Sequence, residues 1–316
     1  MQRRHFTAAV AAFASPLGAF AQGAERQIKL IVGFPPGTGP DVVARTIALK
    51  WGTQMVVDNR AGAGGQIATA AVAKSAADGT TVLLGEVGSI SIAPAAYAKL
   101  PYDPARELVV ISEVARSDFV LVVPAASPSR DVKGFVDAAR AEKDKLNFAT
   151  FGAGTPGHFG AEVFADLARF KVEPVHYRAT GDAITALVAA DVKAAFVSTA
   201  LAVAQLKGGK LRALATTAAT RSAQLPDVPT FAESGYPKLD IAAWFALFAP
   251  AGTPEAALET LNRQAVAVMQ SAEVKQRLQE AGFSVLGSTR AEAERMVKAE
   301  APRWASIVKA SGFKAD

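Results

Sequence analysis

Four glycine-rich turns carry the residues of this chain whose types and spacing could do chemistry. GFPPGTGPD (33–41) follows the apolar run IKLIV, FGAGTPGH (151–158) follows LNFAT, YRATGD (177–182) follows EPVH, and GEVGSIS (85–91) follows TVLL. Each run reads as a strand and each turn opens a helical pattern. The first turn of a helix leaves backbone N–H groups without intrahelical acceptors, and the positive end of the helix dipole favours an anion there. Glycine lets a ligand approach the backbone, while Thr38, Thr155, Thr180 and Ser89 could add hydroxyl donors. Any one such turn is also what an ordinary strand-to-helix connection looks like. Their division between two parts of the chain is what allows several helix N-termini to face one cleft.

Nucleotide chemistry fails on spacing. Gly152, Gly154 and Gly157 spell G-x-G-x-x-G, and Glu173 stands 21 residues beyond Gly152. A ribose-binding acid should close the second strand, but Glu173 opens it and Tyr177 stands at its end. No Gly-Lys-Ser/Thr triplet is present, which removes the P-loop.

Catalytic signals are equally sparse. The three histidines are His5, His158 and His176, and neither H-E-x-x-H nor G-x-S-x-G occurs. His158 at a helix start could touch an anion or cap its turn; His176 within a strand reads as structural. Cysteine is absent, so thiolate metal sites and thiol nucleophiles are excluded, and neither a cofactor nor a metal is expected. Phe34, inside the first turn, and Trp244, on a later apolar strand, could wall a ligand pocket, whereas Phe245 and Phe248 read as core.

The elements that must position these turns alternate strand and helix from Ile28 onward. Strands are expected at 28–33, 54–58, 81–85, 108–112, 119–124, 146–150, 173–177, 193–198 and 211–217, with amphipathic stretches such as DVVARTIALK and GDAITALVAA between many of them. That order predicts α/β layers around mixed, mostly parallel sheets. Residues 254–311 turn mostly helical, with a short strand possible at FSVLG. Two apolar strands ending in Pro-rich turns, FVLVVPAASPSR and IAAWFALFAPAGTP, read as crossovers between two lobes with a cleft at the hinge. The expected division is 27–123 plus 245–316 for lobe 1 and 124–244 for lobe 2.

The N-terminus, MQRRHFTAAVAAFASPLGAFAQGAE, has an arginine pair, a short apolar run and Ala19-Phe20-Ala21 as a cleavage site. It reads as a secretory signal over residues 1–21, by the general or the twin-arginine route; the apolar run is too short for a span of about 20 residues. Removing 21 of 316 residues leaves 295, and loss of Arg3 and Arg4 lowers the formal charge from +5 by two, to +3. Basic residues are scattered among acids, so no nucleic-acid face is expected and the mild excess favours an anionic small ligand.

With the turns in hand, the chain resembles the extracytoplasmic solute receptors of tripartite tricarboxylate transporters, the Bug receptors. The matching stretches run in family order and include IKLIVGFPPGTGPDVVAR, VVDNRAGAGGQIATAAVAKSAADGTTVLLG, KLPYDPARELVVIS, LNFATFGAGTPGHFGAEVF, GGKLRALATTAATRSAQLPDVPTFAESGYP and WFALFAPAGTPEAALETLN. The resemblance implies a two-lobed periplasmic-binding-protein-like (type II) fold that closes over a small carboxylate. It carries ligand contacts onto Phe34, Gly37, Thr38, Gly154, Thr155 and His158, more weakly onto Ser89 and Thr180, and gives Asp41 a capping or orienting role. Two positions depart from the family pattern: Val197 stands where an acid is frequent, and Glu86 where a small hydroxyl residue is common.

The expected function is a periplasmic, monomeric receptor that captures a small organic acid, mono- or dicarboxylic and aromatic acids included, and delivers it to membrane transporter subunits. Two alternatives stay open: an exported enzyme using Glu86 with His158 for proton transfer, and a ligand-dependent sensory receptor.

Overall fold

Period-two burial along the first strands decides how the sheet is covered. In a computed structural model, which describes residues 27–51, 55–142, 144–177 and 179–315, β1 (Ile28–Val32) exposes only Lys29. Its Ile28, Leu30 and Val32 enter one apolar cluster and Ile31 enters another, on the opposite face. β3 (Thr81–Glu86) divides the same way, with Val82 and Leu84 on one side and Leu83 on the other. Strands buried on both faces must be continuously apolar and covered by helices on both sides. One cover is α1 (Gly39–Trp51), α9 (Glu255–Gln270) and α10 (Ala272–Glu280); the other includes α2 (Gln66–Ala73) and α11 (Arg290–Ser311). The export signal expected at 1–21 lies outside the described residues.

The architecture is mixed α/β, with a curled sheet in the order β2 (Met55–Asn59), β1, β3, β9 (Ala242–Pro250), β4 (Leu108–Pro124), β7 (Ala194–Ser198), β5 (Leu146–Thr150) and β6 (Val172–His176), and with β8 (Leu211–Thr216) and β10 (Ser284–Val285) both paired to β4. Parallel pairing is confined to the outer strands. β1 pairs β2 and β3, and β5 pairs β6 and β7. The middle is antiparallel, because two long strands traverse it in opposite directions. β4 pairs β9 from Leu108 to Asp118, then β7 and β8 from Phe119 to Pro124.

β4 corrects one expectation: the strands read at 108–112 and 119–124 are a single element of 17 residues. The polar stretch between them looked like a break, but its groups are satisfied in place. Ser112 Oγ donates to Ser288 O at 2.8 Å, the Glu113 N–H donates to Ser288 Oγ at 2.9 Å, and Arg116 pairs with Glu113. Two register shifts, at Val110/Ser112 and Glu113/Ala115, absorb the irregularity.

Two one-turn helices, α3 (Ala93–Ala96) and α4 (Pro104–Glu107), precede β4, and α5 (Val132–Ala141), α6 (Pro156–Ala168), α7 (Thr180–Val188) and α8 (Thr199–Leu206) cover the second half of the sheet. α11 ties the two halves together. It starts at a capping box, Thr289 with Glu292, and inserts Trp304 beside Phe159 of α6, their rings 5.9 Å apart. Glu300 on the same helix accepts from Trp244 Nε1 at 3.0 Å and Trp304 Nε1 at 2.8 Å. None of the described helices is long and apolar enough to cross a membrane.

Candidate functional site

Three helix N-termini meet at one cavity of about 240 Å³. α6 contributes Thr155, Pro156 and Gly157, α7 contributes Thr180, and the junction of β7 with α8 contributes Ser198 and Leu201. Phe119, Phe151 and Phe196 supply the apolar wall. The topology forces this meeting: β5, β6 and β7 are parallel or share an edge of the sheet, so the turns leaving their carboxyl ends gather on that edge. Among the described residues no charged side chain lines the cavity, and helix ends and hydroxyls supply its polar groups. α7 has no side-chain cap, leaving its first N–H groups to a ligand or water. Gly157, in the first turn of α6, lines the same wall.

The second glycine-rich turn is held by its own atoms. Thr155 caps α6: its Oγ1 accepts from the His158 N–H at 3.3 Å and donates to Gly152 O at 2.9 Å. The Gly154 N–H donates to His158 Nδ1 at 3.1 Å, which puts the imidazole proton on Nε2, 3.8 Å from Glu162 Oε1. His158 is only 3% exposed and packs against His176 and Phe313, with centroids at 4.8 and 5.2 Å. Burial, with the neighbouring His176 adding to it, lowers its pKa to about 4. The ring is therefore neutral near pH 7. Of the four residues carried onto these turns, Thr155 and Thr180 line the cavity, whereas Gly154 and His158 bond to each other behind it.

The first turn is also self-bonded. Asp41, 2% exposed, accepts from the Gly37 N–H at 2.8 Å, Arg45 Nε at 2.9 Å and Asn59 Nδ2 at 2.8 Å. Burial pushes its carboxyl up, but the bonds from Arg45, Gly37 and Asn59 outweigh that and hold it below the usual carboxylate range. Asn59 also donates to Phe34 O at 3.0 Å, and Thr38 Oγ1 donates to Pro35 O at 2.7 Å. Asp41 thus orients the turn rather than offering itself to an anion.

Phe34, Gly65, Glu86 and Ser89 form a second cluster. A Cβ placed on Gly65 would lie 3.5 Å from the Phe34 ring, 3.5 Å from Ser89 Cβ and 3.6 Å from Glu86 Oε1. Both oxygens of Glu86 are engaged: Oε2 accepts from the Gly88 N–H at 2.7 Å and Oε1 from the Ser89 N–H at 2.8 Å. Burial raises its pKa to about 7 against the lowering effect of those bonds. Contacts run from the first turn of α1 to that of α8: Gly39 packs on the Phe283 ring, and Gly282 on the backbone of Ala200.

Trp244 is not gathered with either cluster. It is 1% exposed, its Nε1 is bonded to Glu300, and its ring packs toward Phe248, 6.5 Å away. Val197 is likewise core, 1% exposed. Glu86 and His158, the pair that an enzyme would need, are each bonded elsewhere. Among the described residues no group of three or more metal-ligating side chains assembles.

Sequence reasoning missed Phe119, Phe151, Phe196, Ser198 and Leu201. A signal existed for Ser198: a serine between an apolar strand and an apolar helical pattern is a helix cap, and its Oγ accepts from the Leu201 N–H at 3.4 Å. Phe119 and Phe196 had none, because an apolar strand residue facing a cavity reads as core; for Phe151 the signal was its place at the head of the turn FGAGTPGH.

A larger crevice of about 760 Å³ lies near Arg116, Asp118, Gln224 and Asp240. It suits an anion less well. Arg116 is paired with Glu113 and Arg221 with Glu233, while Asp118 and Asp240 would meet the ligand's charge.

Residues 41–313 match the model of the family described as tripartite tricarboxylate transporter family receptor. A solved R. palustris protein with adipate is similar at 31% identity and TM-score 0.80, over 92% of this chain and 98% of that one. MatC from Rhodopseudomonas palustris with bound malate is similar at 30% identity and TM-score 0.76, over 90% and 99%. The periplasmic binding protein BugD is similar at 28% identity and TM-score 0.77, over 92% and 99%.

Proposed function

This chain belongs to the tripartite tricarboxylate transporter receptor family, and we propose that it is exported and captures a small organic carboxylate for delivery to membrane transporter subunits. The observation that carries this reading is the convergence of the α6, α7 and α8 N-termini on a cavity whose described lining residues include no charged side chain. A carboxylate fits there because backbone N–H groups and the hydroxyls of Thr180 and Ser198 supply donors, and no cation among the described lining residues competes for it. Adipate and malate in the two solved relatives belong to the same ligand class.

The proposed site is Thr155, Gly157, Thr180 and Ser198 on one side of a cleft, with Phe34, Gly37, Thr38 and Ser89 on the other. Gly154, His158 and Asp41 act as positioning residues. The lobes would be 27–123 plus 245–316 and 124–244, hinged on β4 and β9, with a single chain forming the receptor. Hydrogen bonds to a charged group are worth about 1.5–3 kcal/mol each, so four give roughly 6–12 kcal/mol. That only matches the estimated cost of roughly 4–15 kcal/mol for immobilising a partner. Net affinity must therefore come from the phenylalanine wall and lobe closure.

A thermal-shift screen of mono-, di- and tricarboxylates on the purified exported protein tests this. A ligand at a hundredfold excess over Kd adds about 2.7 kcal/mol, a rise of several degrees in Tm. No stabilisation by any acid contradicts the proposal.

A further inference from the structure

Three acidic side chains are buried among the described residues: Asp41, Glu86 and Glu113. Asp41 pairs with Arg45 and Glu113 with Arg116. Glu86, 8% exposed, has no cation beside it among the described residues. Its carboxylate instead sits on the two N–H groups of Gly88 and Ser89, at the start of the helical run that follows β3. Those are donors a ligand anion would otherwise use. The position is fixed from the other sides: Tyr102 OH donates to Ser89 O at 2.7 Å, and Gly65, by lacking a Cβ, leaves beside Oε1 room for a methyl-sized group between the Phe34 ring and Ser89 Cβ.

We propose that Glu86 sets the charge of the ligand: the receptor takes a monocarboxylate whose far end carries a hydrogen-bond donor, ammonium or hydroxyl, and rejects a second carboxylate. This deepens the carboxylate-receptor reading and rests on it. The ligand's carboxylate binds at the α6, α7 and α8 N-termini, and its far end reaches the Phe34, Gly65, Glu86 and Ser89 cluster as the cleft closes. With Glu86 ionised, a second carboxylate arriving there finds the donors of Gly88 and Ser89 occupied and a like charge in a desolvated setting, where repulsion is poorly screened. An ammonium or hydroxyl arriving there meets a buried carboxylate that lacks a cation and has free lone pairs.

Calorimetric titration at a pH of about 8.5, where Glu86 is ionised and the ligand amines are still charged, tests this with chain-matched pairs: adipate against 6-aminohexanoate and 6-hydroxyhexanoate, and succinate against 4-aminobutanoate and 4-hydroxybutanoate. The wild-type protein should bind an amino or hydroxy acid at least about tenfold tighter than its matched dicarboxylate. Glu86→Ser, which frees the two N–H groups, and Glu86→Gln, which keeps the volume but removes the charge, should each narrow or reverse that ratio. Thermal melts check that both variants fold, and if one fails to fold the other decides. Equal or tighter dicarboxylate binding by wild type, or a ratio unchanged in a folded variant, overturns the assignment of Glu86. If wild type and both variants bind carboxylates of neither kind, the receptor reading itself falls, and this inference with it.

Discussion

Single residues near the site divide between those that could meet a ligand and those that hold the turns. Thr155 does both, since its hydroxyl caps α6 while the residue lines the cavity. Thr155→Val should therefore cost about 1 kcal/mol of stability by denaturant titration as well as weaken carboxylate binding. Loss of binding without any loss of stability would contradict the capping role. His158 and Glu86 give opposite pH signatures. His158 titrates near 6.5 unfolded and about 4 folded, so between those values the unfolded chain binds more protons and stability is lost as pH falls from 6.5 to 4. The full window is worth roughly 3 kcal/mol. Glu86 titrates near 4.5 unfolded and about 7 folded, so stability is greatest below 4.5 and is lost as pH rises through 7. The two effects oppose between 4.5 and 6.5. Denaturant unfolding across that range should show Glu86→Gln gaining stability with pH more steeply than wild type, and His158→Asn less steeply. Parallel curves for all three would refute both assignments. The sequence showed that these groups occupy helix-opening turns; it could not show that Gly154 donates to His158 or that Glu86 folds back on Gly88, because each depends on a side-chain rotamer.

Elements were legible where local pattern decides and less so where tertiary contacts do. The buried strands β1 and β3 read directly as apolar runs bounded by turns, and the helical stretch 254–311 read from its periodicity. The continuity of β4 did not, because Ser112 and Glu113 find their partner in Ser288, about 175 residues away along the chain. Trp244 was misjudged for a related reason: its burial depends on α11 bringing Glu300 to its indole N–H. The turn after β1 depends on a close backbone approach that only glycine permits. A Cβ on Gly33 would lie 2.5 Å from Gly65 Cα, so Gly33→Ala must push two loops of the site apart. It should destabilise by about 1–3 kcal/mol and weaken carboxylate binding, as read by thermal melts and titration. A variant with unchanged Tm would contradict this packing.

At the scale of the whole molecule, β4 exchanges β9 for β7 and β8 between Asp118 and Phe119, and α11 spans the two sets of strands. The proposed cleft lies beside that exchange, where the carboxyl ends of parallel strands aim helix N-termini at one space. The most direct test is a crystal structure of the protein with a carboxylate that stabilises it. The expected result is a carboxylate group within about 3 Å of first-turn N–H groups of α6 and α7, against Ser198 and the Phe119–Phe151 wall. Density for the acid in the larger crevice beside Arg116 and Arg221, with the smaller cavity holding none, would contradict it.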